Sequence, residues 1–259
     1  QMAADGLGCD MDNIIVRGVD TDQSPYDSGS YASSTTYVTG GAVVKACESM
    51  RKRICEEAAA IMGLKSGEVD FDGETISEND NPEHSMTLSD LITSLEAGNG
   101  RIIEVTESHT SPVSPPPFIA GFVETEIDKE TGKVEIIDYV AVVDCGTVIN
   151  KNLAKIQVEG GIVQGIGMAL YEDVVYTQRG ELASNTFMQY KMPTRKDVGN
   201  IIVDFEESYE PTGPFGAKSV GEVVVNTPSP AIENAIYNGL GINLNTLPMT
   251  PEKVFMAMT

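Results

Sequence analysis

Residues 213–222 (GPFGAKSVGE) limit how the chain can fold, because glycines recur through them and an acid, Glu222, follows the last one directly. Glycine lets the backbone turn tightly, or pass close to a neighbour that leaves no room for a side chain. Val220 and Val223 place apolar side chains on both sides of Glu222. A carboxylate in an apolar wall is suited to act as a general base. The alternative is a glutamate exposed on a loop, where most glutamates lie.

The composition is that of a globular protein and excludes some partners. Hydrophobic residues make up 41% of 259 residues, which is enough for a sizeable core. The net charge of −22 repels phosphate backbones and anionic membranes, so nucleic-acid and membrane binding are not expected. The 4 cysteines form no metal-ligand spacing with the 2 histidines, so the sequence predicts no metal ligands from the protein. Reduced thiols predict a cytoplasmic location.

Hydrophobic periodicity predicts an α+β fold with mixed sheets and packed helices. Apolar residues recur at three- and four-residue steps over 41–63, which predicts an amphipathic helix. Residues 118–128 and 133–144 predict a hairpin, and the apolar run 140–146 is typical of a central strand. A further strand is predicted at residues 14–19. Residues from about 64 to 117 are polar and acidic, and we expect them to form a peripheral lobe.

Two more segments have unusual composition. Residues 29–41 (GSYASSTTYVTGG) are rich in hydroxyls and small side chains, so they could donate hydrogen bonds to a phosphate at a helix start, or form an ordinary polar loop. Residues 157–171 read as a helix with glycines at 160, 161, 165 and 167. Each glycine costs up to about 1 kcal/mol relative to alanine in a helix. Their presence predicts the close approach of another backbone or of a ligand.

Read together, residues 29–43, 157–167 and 216–222 resemble the molybdenum-binding subunit of the xanthine dehydrogenase/aldehyde oxidase family in their order and spacing. Residues 140–150 and 228–236 are similar to that family as well, so the resemblance covers nearly the whole chain. It implies an α+β molybdopterin-binding domain of the xanthine dehydrogenase type.

The resemblance also implies an extent for the domain. Residues 1–259 would be the C-terminal molybdopterin-binding region of a longer subunit or of a split one. The family's upstream cofactor loops and its substrate-clamping residues are absent from this sequence, which fits that interpretation.

The resemblance implies roles for individual residues. Glu222 would be the catalytic base, removing a proton as water-derived oxygen is added to an electron-poor carbon. The implied cofactor-binding residues are Ala32, Ser33, Ser34, Thr35, Gln157 and Gly221. Ala32 would lie by the molybdenum, Ser33 and Thr35 would bind the pterin or its phosphate, and Gly221 would let the backbone approach the metal. Family members often carry arginine or another residue at the position of Ser34, so no phosphate-pairing role is implied there.

The same resemblance implies a substrate class and partners. The expected substrate is a purine such as xanthine or hypoxanthine, with nicotinate or another N-heterocycle, or an aldehyde, as alternatives. The molybdenum would be held by the pterin dithiolene, with the cytosine dinucleotide form of the pterin as one alternative. FAD and 2Fe–2S clusters are expected on partner subunits, together with the remainder of the molybdenum subunit. Hypotheses of another class are a non-catalytic assembly fragment and a generic anion-binding module.

Overall fold

The computed structural model describes residues 1–18, 20–22, 24–111 and 113–259. Val19, at the end of the strand predicted over 14–19, and Pro112, in the predicted lobe, lie outside the described residues. The chain forms two compact units. The first comprises Gln1–Ser114 with Thr212–Pro214, and the second Pro115–Pro211 with Phe215–Thr259.

The first unit is built around one long helix, a small sheet and a shorter helix. Its elements are α1 (Met2–Leu7), α2 (Thr35–Met62), β1 (Val69–Phe71), β2 (Thr75–Glu78), β3 (Asn81–Thr87) and α3 (Leu88–Asn99), with 3-10 turns at Met11–Asn13 and Ser66–Glu68. The sheet has the order β1-β2-β3 with antiparallel neighbours. Buried side chains of α2, the sheet and α3, among them Ile54, Phe71 and Leu91, form its core. Residues 64–114 of the lobe predicted over 64–117 belong to this unit, and residues 115–117 belong to the second.

The predicted helix over 41–63 is confirmed, but α2 begins earlier, at Thr35. The β-branched residues of its first turns have modest helix propensity, so the sequence did not indicate this start. Tertiary contacts fix these turns instead, because Tyr37 is buried and its hydroxyl shares hydrogen bonds with Thr212 Oγ1 at 2.6 Å and Ser111 Oγ at 2.9 Å.

The strand predicted over 14–19 is wrong for its described residues, none of which lies in a strand. Ile15 and Val16 are 82% and 83% exposed. β-Branched residues favour a strand only where a neighbouring strand and an apolar surface are available to pack against.

The second unit combines a mixed sheet with three helices. Its elements are β4 (Phe118–Ile127), β5 (Val134–Asp144), α4 (Lys151–Leu170), β6 (Asn200–Phe205), α5 (Pro228–Leu240) and α6 (Pro251–Met258), with a 3-10 turn at Glu222–Asn226. The order is β4-β5-β6, with β4 antiparallel and β6 parallel to β5. The predicted hairpin and the central position of residues 140–146 are therefore confirmed, as is the α+β fold class.

The core of the second unit lies between β5 and the helices. Tyr139 and Val143 of β5 pack in one buried cluster with Ile162 and Ile166 of α4 and with Ile232 of α5. The chain passes through α4 between the parallel strands β5 and β6, as a crossover requires. Among the described residues, no helix has the length and apolar character that a bilayer crossing requires.

Candidate functional site

The predicted site residues divide between the two units. Ala32, Ser33, Ser34 and Thr35 belong to the first unit, and Gln157, Gly221 and Glu222 to the second. Each group is placed by the elements of its own unit: the first group by the start of α2, the second by α4 and the 3-10 turn at Glu222–Asn226.

A strained turn leads into α2. Ala32 and Ser33 both have left-handed backbones, with φ of 49° and 55°. Non-glycine residues in this region cost on the order of 1–3 kcal/mol each and cluster at functional sites. Ser34 follows them, but its hydroxyl donates to the carbonyl of Tyr31 at 2.8 Å and gives α2 no side-chain cap.

The first turn of α2 therefore presents amide groups. The Val38 amide donates to the Ser34 carbonyl at 2.7 Å, and the amides of Thr35, Thr36 and Tyr37 lie before it in the first turn. The helix is 28 residues long and carries no acid in its first turn. Uncapped amides and the helix dipole together favour an anion at such a terminus. One acid lies nearby, since the carboxylate of Asp27 accepts from the Thr39 hydroxyl at 3.4 Å.

In the second unit, the glycine-rich loop is tied to the end of β5. Phe215 and Gly216 have φ of 53° and 86°, and a side chain at Gly216 would begin 2.4 Å from the ring of Tyr209. The carbonyl of Gly216 accepts hydrogen bonds from the amides of Thr147 at 2.8 Å and Glu210 at 3.0 Å. The prediction of a tight turn with close backbone approach is confirmed at Gly216.

An ion pair joins the same two segments. Lys218 Nζ lies 2.8 Å from Asp144 Oδ2, and the side chain of Lys218 is only 7% exposed. Burial raises the pKa of Asp144, but hydrogen bonds from Lys218, Ser208 and the Gly146 amide, with the charge of Lys218, outweigh it and hold this pKa below its ordinary value. The sequence indicated no role for either residue. It showed only that Asp144 ends an apolar run and that Lys218 follows two small residues.

Glu222 lies at the surface while its apolar neighbours turn inward. The glutamate is exposed, Val220 and Val223 are half-buried against the core cluster, and Val224 is fully buried. The apolar wall expected from the sequence is thus formed by the valines, and the carboxylate stands outside it. Glu222 is the first residue of its 3-10 turn, and Gly221 directly precedes that turn.

Glycines let α4 pack closely on the segment that carries Glu222. A Cβ built on Gly161 would lie 2.0 Å from Val224 Cγ2 and 3.6 Å from the Gly221 carbonyl oxygen. A Cβ on Gly165 would lie 2.5 Å from Pro228. The predicted close approach is confirmed at these positions, although the neighbours are mainly side chains.

At Gly160 an added Cβ would meet nothing within 4 Å among the described residues, so no described segment of the chain approaches this glycine. Gln157 is also exposed on α4, one helical turn before the exposed Gly160 and on the same face of the helix. This side of the helix is therefore accessible, and the opposite side is packed.

Comparison with known proteins accounts for this combination of elements. Residues 1–199 match the molybdopterin cofactor-binding domain family. The chain is 32% identical to the probable hypoxanthine oxidase XdhD of Escherichia coli (strain K12), over 100% of this chain and 27% of that protein. It is 31% identical to the putative xanthine dehydrogenase molybdenum-binding subunit XdhA of the same strain, over 98% of this chain and 35% of that protein.

The solved structure of quinoline 2-oxidoreductase from Pseudomonas putida 86 is also similar, with a TM-score of 0.84 and 27% identity over 99% of this chain and 34% of that one. The chain thus spans about a third or less of the length of these relatives. Because the family match covers well over half of its residues, the chain belongs to the molybdopterin cofactor-binding domain family.

Proposed function

We propose that this chain is the cofactor-binding part of a molybdenum-dependent hydroxylase that adds water-derived oxygen to an electron-poor carbon of a purine. Its family membership supports the cofactor class. Relatives named for hypoxanthine and xanthine support the purine, and the quinoline enzyme makes another N-heterocycle the second candidate. The observation that carries the proposal is the exposed Glu222 on a segment that is fixed on both sides by buried contacts.

The start of α2 fits the phosphate of a pterin cofactor. The first turn has no side-chain cap and no acid, the turn before it is left-handed at Ala32 and Ser33, and Ser33 and Thr35 carry hydroxyls. Thr35 is exposed and can reach a ligand. We assign phosphate binding to these groups and place Ala32 beside the metal end of the cofactor.

Roles in cofactor binding are also proposed for residues of the second unit, as the resemblance implies. Gln157 is exposed on α4 and can donate or accept a hydrogen bond to the cofactor. Gly221 has no side chain to obstruct a ligand that approaches the backbone directly before Glu222. When bound, the molybdenum–pterin group supplies the two-electron oxidation that hydroxylation of the ring requires.

Glu222 would act as the general base. Its carboxylate would remove a proton from the water-derived oxygen as that oxygen forms its bond to the substrate carbon. General-base catalysis contributes roughly 10²–10⁴-fold to a rate, and its efficiency depends on the base being held within hydrogen-bond reach of the proton. The half-buried Val220 and Val223 on either side of Glu222, together with the fully buried Val224, restrict the backbone that carries it.

The test is Glu222→Gln in the assembled enzyme, with turnover of hypoxanthine and xanthine divided by molybdenum content. We expect turnover per molybdenum to fall by about 10²–10⁴-fold with unchanged metal content, because glutamine keeps the size of the side chain but cannot accept the proton. Near-normal turnover would refute the base assignment. If the wild-type enzyme oxidises nicotinate or quinoline but neither purine, another N-heterocycle becomes the favoured substrate.

Glu252 offers a matched control, since it is also an acid in the first turn of a helix. Glu252→Gln removes a similar charge next to a similar set of amides, so we expect it to leave turnover unchanged. If wild-type enzyme contains no molybdenum and oxidises none of these substrates, the non-catalytic assembly fragment becomes the better hypothesis.

We propose further that electrons leave through FAD and 2Fe–2S subunits, and that the remainder of the molybdenum subunit completes the substrate pocket. The cytosine dinucleotide form of the pterin is testable by mass spectrometry of the released cofactor. A cytoplasmic location is supported by Cys9, Cys47, Cys55 and Cys145, which are free thiols.

A further inference from the structure

Lys218 is a buried charge to which the proposed function gives no role. Lysine is almost never fully buried unless it is paired. Here the side chain is 7% exposed, its Nζ lies 2.8 Å from Asp144 Oδ2, and the same atom lies 5.3 Å from the centre of the Phe118 ring. The ammonium is therefore held between a carboxylate and an aromatic face, which attracts a cation.

The carboxylate of Asp144 is fixed from several directions. Its second oxygen accepts hydrogen bonds from Ser208 Oγ at 2.7 Å and from the Gly146 amide at 2.9 Å. Asp144 is the last residue of β5, so its backbone is also held by the central strand of the sheet. The ion pair thus connects Lys218 to the most constrained strand of the second unit.

Backbone contacts align the two segments beside the ion pair. The Lys218 amide donates to the Cys145 carbonyl at 2.7 Å. Gly146 has φ of 71°, and a Cβ there would lie 2.3 Å from the Gly216 carbonyl oxygen. The loop and the strand end consequently approach more closely than any residue with a side chain at position 146 would permit.

Glu222 lies between this attachment and a second one. Lys218 is joined to β5, and Val224 is seated against Gly161 of α4. Only Ser219, Val220 and Gly221 separate Lys218 from the glutamate. A short segment held at both ends has a restricted backbone, so release of Lys218 would loosen the backbone that carries Glu222.

Stability alone is a poor reason for this arrangement. A buried ion pair loses so much hydration that apolar residues of similar volume are often equally stabilising or better. A directional ion pair, unlike an apolar contact, fixes the relative position of two segments. We propose that Lys218 and Asp144 are positioning residues that hold the loop so that Glu222 is placed for proton removal, an inference that rests on the proposed function of Glu222.

The first test compares Lys218→Met, Lys218→Arg and a control in the assembled enzyme. A misplacement of about 1 Å can cost on the order of 10²-fold in rate, so we expect Lys218→Met to lower kcat per molybdenum about 10- to 100-fold with KM nearly unchanged. Lys218→Arg keeps the charge and should recover most of that loss. Lys133→Met removes an exposed ion pair to Glu135 and should leave kcat unchanged.

The second test measures amide hydrogen exchange, which does not depend on turnover. In Lys218→Met, amides of residues 217–223 should exchange at least about tenfold faster, whereas those of α6 keep their rates. Glu222→Gln should lower turnover per molybdenum by about 10²–10⁴-fold and leave this exchange unchanged. If Glu222→Gln remains active while Lys218→Met still loosens residues 217–223, the proposed function fails and the anchoring of the loop stands.

Two results would overturn the inference. One is a Lys218→Met enzyme with kcat per molybdenum within about twofold of wild type. The other is a loss of molybdenum and thermal stability with constant kcat per molybdenum, which a purely structural pair predicts. If Lys218→Met does not fold, the double variant Asp144→Asn with Lys218→Met removes both charges. It should fold, since no unpaired charge is left buried, and should retain the kcat defect.

Discussion

Gly161→Ala is the most direct perturbation of the contact between α4 and the segment that carries Glu222. The added Cβ would lie 2.0 Å from Val224 Cγ2, whereas carbon atoms ordinarily approach to about 3.5–4.0 Å. Val224 is fully buried. Relief of the overlap therefore requires a strained rotamer of Val224 in a packed core, or a shift of α4 or of the 3-10 turn at Glu222–Asn226.

The expected change in the free energy of unfolding is the difference between a gain in helix propensity and a cost of overpacking. Alanine gains up to about 1 kcal/mol over glycine from helix propensity. Overpacking of a core costs about 1–3 kcal/mol, and the severe overlap here argues for the upper end of that range. We therefore expect Gly161→Ala to lower the free energy of unfolding by about 2 kcal/mol, or the melting temperature by about 4–8 °C for a chain of this size.

Gly160→Ala is the matched control, on the same helix and one residue earlier. An added Cβ there meets nothing within 4 Å, so only the helix-propensity gain applies, and we expect stabilisation by about 0.5–1 kcal/mol. The two alanine variants should differ by about 3 kcal/mol in urea titrations followed by circular dichroism. Equal stability would show that the contact between Gly161 and Val224 relaxes freely, and the reasoning about a fixed segment would fail.

A double-mutant cycle identifies the contact responsible. Val224→Ala alone should cost about 2 kcal/mol, because it removes two buried methyl groups and leaves a small cavity. Combined with Gly161→Ala, it makes room for the new Cβ. The double variant should therefore lose at least about 1 kcal/mol less than the sum of the single losses. If the free-energy losses of the two single variants simply add in the double variant, the added Cβ clashes with a residue other than Val224.

Two further predictions concern the ends of the loop and are read from unfolding curves. Gly146→Ala should destabilise by about 3 kcal/mol, since it combines a left-handed backbone with a Cβ 2.3 Å from the Gly216 carbonyl oxygen; a loss below about 1 kcal/mol would contradict this. The pKa of Asp144 is lowered in the folded state, so its contribution is present above about pH 4 and is lost as pH falls further. Asp144→Asn should thus cost about 3 kcal/mol at pH 6 and progressively less towards pH 2, and a constant difference would refute the ion-pair assignment.

Much of the fold could be predicted because it depends on local periodicity. The hairpin of β4 and β5, the central position of β5 and most of α2 were each indicated by their own residues. The start of α2 was not, since it depends on hydrogen bonds from Tyr37 to Thr212, far away in sequence. The strand predicted over 14–19 was wrong because strand formation also depends on distant parts of the chain, and its described residues pair with no strand.

In the candidate site, too, the sequence predicted the features that depend on local residues and not those that depend on distant contacts. Glycine spacing predicted close packing by α4 and a tight turn near Gly216, because glycine has few other uses in a helix or an apolar loop. The pairing of Lys218 with Asp144 could not be predicted, since 74 residues separate them. The glycine spacing does not show which side of α4 faces the core, so it could not distinguish Gly161 from Gly160, which no described segment approaches.

The exposure of Glu222 is itself an argument about function. A glutamate at a protein surface gains nothing from a fixed backbone, since water solvates its carboxylate equally well in many positions. Yet the segment before it is joined to β5 through a buried ion pair, and Val224 behind it fits against a glycine of α4. Buried packing of this kind stabilises the fold in any case, and it also restricts the backbone that carries Glu222. A general base must lie within hydrogen-bond reach of the proton it removes, so the proposed function requires such a restriction whereas an ordinary surface glutamate does not.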